Sequence, residues 1–165
     1  MSERLGMQVV RFQLGTARAA FPVEQVREVV GLGQLATVFH APAFVAGLMN
    51  VRGQAFPVLD LVPLLGLSGA GGEGTGNRGD GRPSHVLMVE AGELTAGILA
   101  SRPVDIADVG VSEVPPAAGV PGLAALSCIA SEDGVSLLVL DAGRLFDLPD
   151  VHSLRSGRRP LTLPG

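Results

Sequence analysis

The sequence predicts a mainly β protein: two small barrels packed side by side, with a few short helices. Three observations carry that prediction. Apolar runs of strand length, rich in Val, Leu and Ile, alternate with turns containing Gly or Pro. The chain partly repeats itself: Val58-Leu59-Asp60 recurs as Val139-Leu140-Asp141 at an offset of 81, and Leu64 and Leu67 match Leu145 and Leu148 at the same offset. Aromatic residues make up only 4%, with no Trp and no Tyr, so a core for these 165 residues must be built from aliphatic side chains.

Taken in order, Met7–Leu14 and Ala17–Val23 flank Gly15-Thr16 as a hairpin. Pro22 opens one helical turn, and Val26–Val30 resumes strand spacing with Arg27 and Glu28 on opposite faces. Leu35–Phe39 reads as another short strand, followed by a loop at His40–Ala43. Phe44–Val51 and Gln54–Leu59 form a second hairpin around Arg52-Gly53, with Asn50 favouring a tight turn. Asp60 caps a short helix at Leu61–Leu65, its carboxylate accepting from free backbone N–H groups. The stretch Gly66–Pro83 is glycine-rich and nearly free of apolar residues, so it reads as a flexible loop. Beyond it, His85–Glu90 and Leu94–Ala100 repeat the strand–turn–strand pattern, and Val104–Val109 is a further strand. Val114–Ala125 reads as loop, Leu126–Ala130 and Val135–Leu140 pair across Asp133-Gly134, and Asp141 caps Ala142–Phe146. The domain so drawn runs over residues 7–148: a first barrel half at 7–67, the loop at 68–83, and a second barrel half at 84–148. Residues 149–165 form an Arg-containing tail with Arg155, Arg158 and Arg159.

Composition excludes several functions. All 12 basic residues are Arg, so no lysine Schiff base and no Lys-dependent phosphate loop is available. A net charge of −4 and the scarcity of stacking aromatics oppose nucleic-acid binding. No apolar run reaches the roughly 18 residues of a spanning helix, and MSERLG does not resemble a signal peptide, so the expected location is the cytoplasm without direct membrane insertion. Gly69–Gly74 matches a dinucleotide fingerprint in letters, but no helix opens on it. His40, His85 and His152 are scattered and Cys128 stands alone in an apolar strand, so no metal site and no cofactor is expected. Asp60 and Asp141 recur as caps, not as an acid–base pair. A small enzyme using Cys128 is the rival reading from another class.

What does not recur between the halves is Gly47–Gly53. Arg52 is the only Arg, Asp or Glu between Glu28 and Asp60. A guanidinium in so apolar a run is either paired or projects toward a partner. If the barrel closes, Glu28 lies beside the Arg52 turn. Spacing alone leaves two readings open, a solvated pair and a pair that orients an interaction surface.

At this point the residues resemble a known family. Phe12–Gly15, Phe21-Pro22-Val23 and Val26–Val29 are similar to the opening of the CheW-like domain, and Ala41–Gly53 with Phe56–Leu61 resembles its most characteristic segment. Leu138–Phe146 is similar to its closing strand and helix. The resemblance implies two five-stranded, SH3-like barrels and a non-enzymatic adaptor of bacterial chemosensory arrays. Its implied partners are the signalling tip of methyl-accepting chemoreceptors and the regulatory domain of a CheA-type histidine kinase. It places Val26, Glu28, Gly47 and Arg52 at or near the receptor-binding surface, with the Glu and Arg paired, and Asn50 and Gly53 join that expected surface as part of the non-recurring segment Gly47–Gly53; the kinase contacts stay unassigned. This chain departs from the family pattern at Ala100-Ser101, where Val-Asp is usual, and in its long glycine-rich loop. A pathway controlling pilus motility would use the same adaptor type.

Overall fold

A computed structural model describes residues 5–67, 82–112, 124–132 and 134–156. In chain order these form β1 (Leu5–Leu14), β2 (Ala17–Pro22), a 3₁₀ turn (Val23–Gln25), β3 (Val26–Gly31), β4 (Val45–Val51), β5 (Gln54–Leu59) and α1 (Leu61–Leu65). They continue as β6 (Pro83–Ala91), β7 (Leu94–Ser112), β8 (Leu126–Glu132), β9 (Val135–Leu140), α2 (Ala142–Phe146) and α3 (Pro149–Ser156). Both expected caps are present. Asp60 accepts from the Val62 N–H at 3.1 Å, and Asp141 from the Arg144 N–H at 2.9 Å.

Strand pairing sorts these elements into two groups. In one, pairing runs β1–β2–β9–β8–β7 and returns from the C-terminal part of β7 to β1. Because it uses both ends of the chain, we call it the terminal barrel. The other, the medial barrel, runs β3–β6–β7–β5–β4 through the N-terminal part of β7. It stays open: among the described residues β3 and β4 do not pair, and one isolated bridge, Ala36–Leu48, lies along the outer edge of β4.

Each barrel therefore takes its leading hairpin from the opposite half of the chain, so the division into halves at 7–67 and 84–148 does not describe the strand content of the barrels. The reason lies in two parallel pairings. Ala20 on β2 aligns with Val139 on β9, and Gly97 on β7 aligns with Val58 on β5. The second contact needs glycine, because a Cβ at position 97 would come within 2.6 Å of Val86 and 3.3 Å of Val58. The 3₁₀ turn then leads β2 of one barrel into β3 of the other.

Three apolar clusters follow from this arrangement. Val9, Ala20, Val109, Cys128 and Val139 fill the terminal barrel, and Met49, Val58, Val86, Met88 and Leu99 fill the medial one. The largest cluster includes Phe12, Phe21, Phe44, Leu61, Leu145 and Phe146, and draws on both barrels and all three helices. Phe12 and Phe21 stack at 5.9 Å.

Three expectations are corrected. Leu35–Phe39 is not a strand and, among the described residues, pairs only at Ala36, where Gly47 leaves room for it. Leu94–Ala100 and Val104–Val109 belong to one 19-residue strand, β7, whose register against β1 shifts opposite Arg11–Gln13 as it passes between barrels. The beginning of the tail is helical: α3 starts at Pro149, a residue suited to the first helical position, and Val151 packs into the largest cluster. Of the two expected loops, residues 68–81 and 113–123 lie outside the described residues.

Candidate functional site

The β4–β5 hairpin is built around a two-residue turn, since Val51 pairs directly with Gln54. Both turn residues have positive φ, 53° at Arg52 and 83° at Gly53, the requirement of a type I′ turn. Glycine meets it freely. Arginine does not, because its Cβ crowds the neighbouring carbonyl in the left-handed region. Asn50 steadies the turn by accepting from the Gly53 N–H at 2.9 Å. The tight turn expected from Asn50, Arg52 and Gly53 is thus present, with the arginine in its strained position.

Arg52 reaches across to β3. Its two terminal nitrogens donate to the two carboxylate oxygens of Glu28 at 2.6 and 2.7 Å, a bidentate fork. The hydrogen bonds and charge of Arg52 hold the Glu28 carboxyl below its ordinary value, and Glu28 in turn raises that of Arg52. The Arg52 side chain remains 72% exposed against 23% for Glu28, so the pair is displayed and not buried.

The internal repeat explains why Glu28 looks across the opening. Upstream of Gly47 the repeat runs at an offset of 77, aligning β1 with β6 and β3 with the C-terminal part of β7, so the equivalent of Glu28 in the terminal barrel is Asp105. Asp105 lies in register beside Arg11 on β1, which donates to it at 2.9 and 2.7 Å and lowers its pKa. Glu28 lies in register beside Met88, which offers no charge. Its partner therefore comes from the hairpin on the other side of the opening. The Arg11–Asp105 pair was not foreseen; an Arg on one strand and an Asp on another, 94 residues apart, leave no local pattern.

The remaining residues of the expected site play other parts. Gly47 is buried, and a Cβ there would lie 2.7 Å from the Ala36 carbonyl oxygen, so it makes room for the segment that bridges β4. Val26 is half-buried against the largest core cluster. Beside the hairpin lies a groove of about 240 Å³ lined by Val30, Gly31, Gly33, Gln34, Met49, Asn50 and Val51. The nearest sequence signal for it was the Gly31-x-Gly33 spacing.

Cys128 is buried in the terminal barrel and touches the Ser127 hydroxyl at 3.5 Å. Among the described residues no group of His, Cys, Asp and Glu is placed to hold a metal ion, and no helix is long and apolar enough to cross a membrane.

Two small β-barrels joined through exchanged hairpins, with their polar chemistry displayed on an open edge, define a β-domain whose most distinctive feature is a surface. Residues 8–150 match the family model of the CheW-like domain, and the chain belongs to that family. It is 27% identical over 112 residues to a chemotaxis protein CheW of Rhizobium meliloti (strain 1021), covering 67% of this chain and 66% of that one. It is 28% identical over 105 residues to protein FrzA of Myxococcus xanthus, covering 64% and 61%. The chain thus spans less than two thirds of the length of either relative. Among solved structures, the scaffolding protein TtCheW from Thermoanaerobacter tengcongensis superposes with a TM-score of 0.70 over 90% of this chain and 92% of that one, at 21% identity. That likeness establishes the SH3-like β fold.

Proposed function

We propose that this chain is a non-enzymatic cytoplasmic adaptor that couples methyl-accepting chemoreceptors to a CheA-type histidine kinase. The observation that carries the reading is the Glu28–Arg52 fork, held out from a strained turn where a relaxed Asn-Gly would serve architecture better. A pair this exposed contributes little to stability, so orienting a partner is its better use. Glu28 and Arg52 form the polar part of the receptor-binding surface, Asn50 and Gly53 hold the turn beside them, and Gly47 and Val26 shape the strands beneath it. The kinase is held barrel to barrel through its own regulatory domain of the same fold. The same design serves a pilus-motility output equally well, the partner set deciding between them.

The test is retention of the purified protein on an immobilised receptor signalling-tip fragment and on an immobilised CheA-type regulatory domain. We expect binding to both, and failure to bind either overturns the reading. The rival enzyme needs a reactive thiol, whereas Cys128 is only 3% exposed. Cys128→Ala should leave retention on both partners unchanged.

A further inference from the structure

The two barrels differ at one equivalent place. In the terminal barrel β7 runs on to Ser112 and joins β8, with Val111 paired to Ala130 and Ser112 to Ile129. By the repeat, the corresponding partners in the medial barrel are Gln34 with Met49 and Leu35 with Leu48. Those pairings are absent. β3 stops at Gly31, and the chain next meets β4 one residue out of step, at Ala36 with Leu48. Gly33 turns its N–H to the Met49 sulfur at 3.4 Å instead of to a backbone carbonyl. The groove lined by Val30, Gly31, Gly33, Gln34, Met49, Asn50 and Val51 occupies this place, where the sister barrel has a β-ladder.

Backbone direction along both sides can be assigned. Leu48 exchanges hydrogen bonds with Ala36, at 2.8 and 3.0 Å, so residue 48 points its N–H and C=O away from β5. Alternation puts those of Asn50 on the same outer edge. Leu32 donates to Ser84, so Val29 and Gly31 point theirs away from β6 and toward the opening. No backbone partner for Val29, Gly31 or Asn50 on that side occurs among the described residues. Glycine at 31 and 33 keeps the approach clear: a Cβ at 31 would meet nothing within 4 Å, and one at 33 only the Met49 sulfur at 3.9 Å. Exposed strand edges are templates for another strand, and natural proteins usually block them with charge or proline. Neither stands at these positions.

We propose that the opening between β3 and β4 is a strand-addition site that takes an extended segment of a partner protein. In the other barrel the edge equivalent to β4 is covered by backbone in extended form, Val111 and Ser112 at the end of β7 pairing with β8, so an extended segment fits this edge. Main-chain hydrogen bonds to Asn50 and to Gly31 or Val29 would give the affinity, and the groove would take one or two aliphatic side chains. Arg27 and Arg52 flank the Glu28 end of the opening and leave it net positive, which favours an acidic residue at that end of the incoming strand. This goes beyond receptor and kinase coupling and does not require either.

The test uses amide hydrogen exchange by NMR on the whole protein, with a blocked peptide of sequence Glu-Val-Thr-Val-Thr as probe. Two further versions carry N-methyl groups, one on each alternate set of amides, so that only one can still pair along a given edge. In the free protein the Asn50 and Gly31 amides should exchange rapidly. Added peptide should slow both, and each methylated version should lose one edge, one protecting only Asn50 and the other only Gly31. Gly33→Val narrows the groove without asking for an unusual φ, and should weaken the peptide at least about tenfold. The same variant should keep its retention on the receptor fragment, which separates this inference from the adaptor reading. Slow exchange at Asn50 in the free protein would mean the chain already closes its own edge and would overturn the proposal. So would equal behaviour of both methylated peptides, or no response to millimolar peptide.

Discussion

Gly47→Ala puts one methyl group where the medial barrel has least room for it. The new Cβ would sit 2.7 Å from the Ala36 carbonyl oxygen and 3.1 Å from the Leu35 Cβ, at a φ of 152° that L-residues seldom adopt. The oxygen belongs to backbone, so relief requires moving the 35–36 segment away from β4. That breaks both hydrogen bonds between Ala36 and Leu48. Two lost bonds cost about 1 kcal/mol each, and residual strain adds about 1 kcal/mol. Reduced freedom of the unfolded chain returns about 0.4–1 kcal/mol. The net expectation is a loss of about 2–3 kcal/mol, roughly 4–12 °C in Tm for a chain of this size. Urea unfolding followed by circular dichroism measures it, and exchange of the Ala36 and Leu48 amides shows whether the bridge has opened. If Gly47→Ala unfolds at the native midpoint yet loses the receptor fragment, Gly47 is a contact residue and its steric role is refuted.

Other expectations follow from the same geometry. Arg52→Asn removes the fork to Glu28 but supplies the Asn-Gly pair that a type I′ turn prefers, so the unfolding midpoint should hold or rise while retention on the receptor fragment falls; a variant that unfolds early would make Arg52 structural. Asp105 titrates below its ordinary value of 3.8 because Arg11 binds the ionised form, so its contribution is present above that value and fades as pH falls through the lower, folded one. The stability gap between native protein and Asp105→Asn should therefore shrink on acidification from about pH 5 to about pH 3. Asp141→Ala should cost more than Asp60→Ala, which removes one cap of about 1 kcal/mol. The excess arises because Asp141 also accepts from Gln25 at 2.9 Å, tying α2 to the 3₁₀ turn; equal urea midpoints for the two would refute that tie.

Local order was readable because local rules set it. Gly15-Thr16 and the two capping aspartates announce a turn and two helix starts through their own backbone chemistry. The offset of 81 that aligned Val58 with Val139 also relates β4 to β8, β5 to β9 and α1 to α2. The same pattern says nothing about which half pairs with which, since an apolar strand such as Leu138-Val139-Leu140 suits any apolar neighbour. Exchange of the hairpins was therefore invisible. Position 36 was misread for a related reason: the apolar pattern of Leu35–Phe39 fits a strand, but Gly47 admits its backbone at only one rung. In the site, the Glu28–Arg52 pair was legible from the isolation of Arg52 and from the family likeness. The groove beside it was not, because it depends on where β3 stops.

The exchange of hairpins also governs how this protein must be made. Ala20 waits for Val139, and Val9 for Ala107, so the contacts that complete the terminal barrel are among the most distant in the chain. A nascent chain that has emerged through Leu59 holds strands for both barrels and can finish neither. High contact order of this kind slows folding and defers it until synthesis is nearly over. During that interval the β1–β2 hairpin offers its edge to any suitable β9, including that of a neighbouring chain. Concentrated refolding should therefore yield swapped dimers that dilute refolding does not.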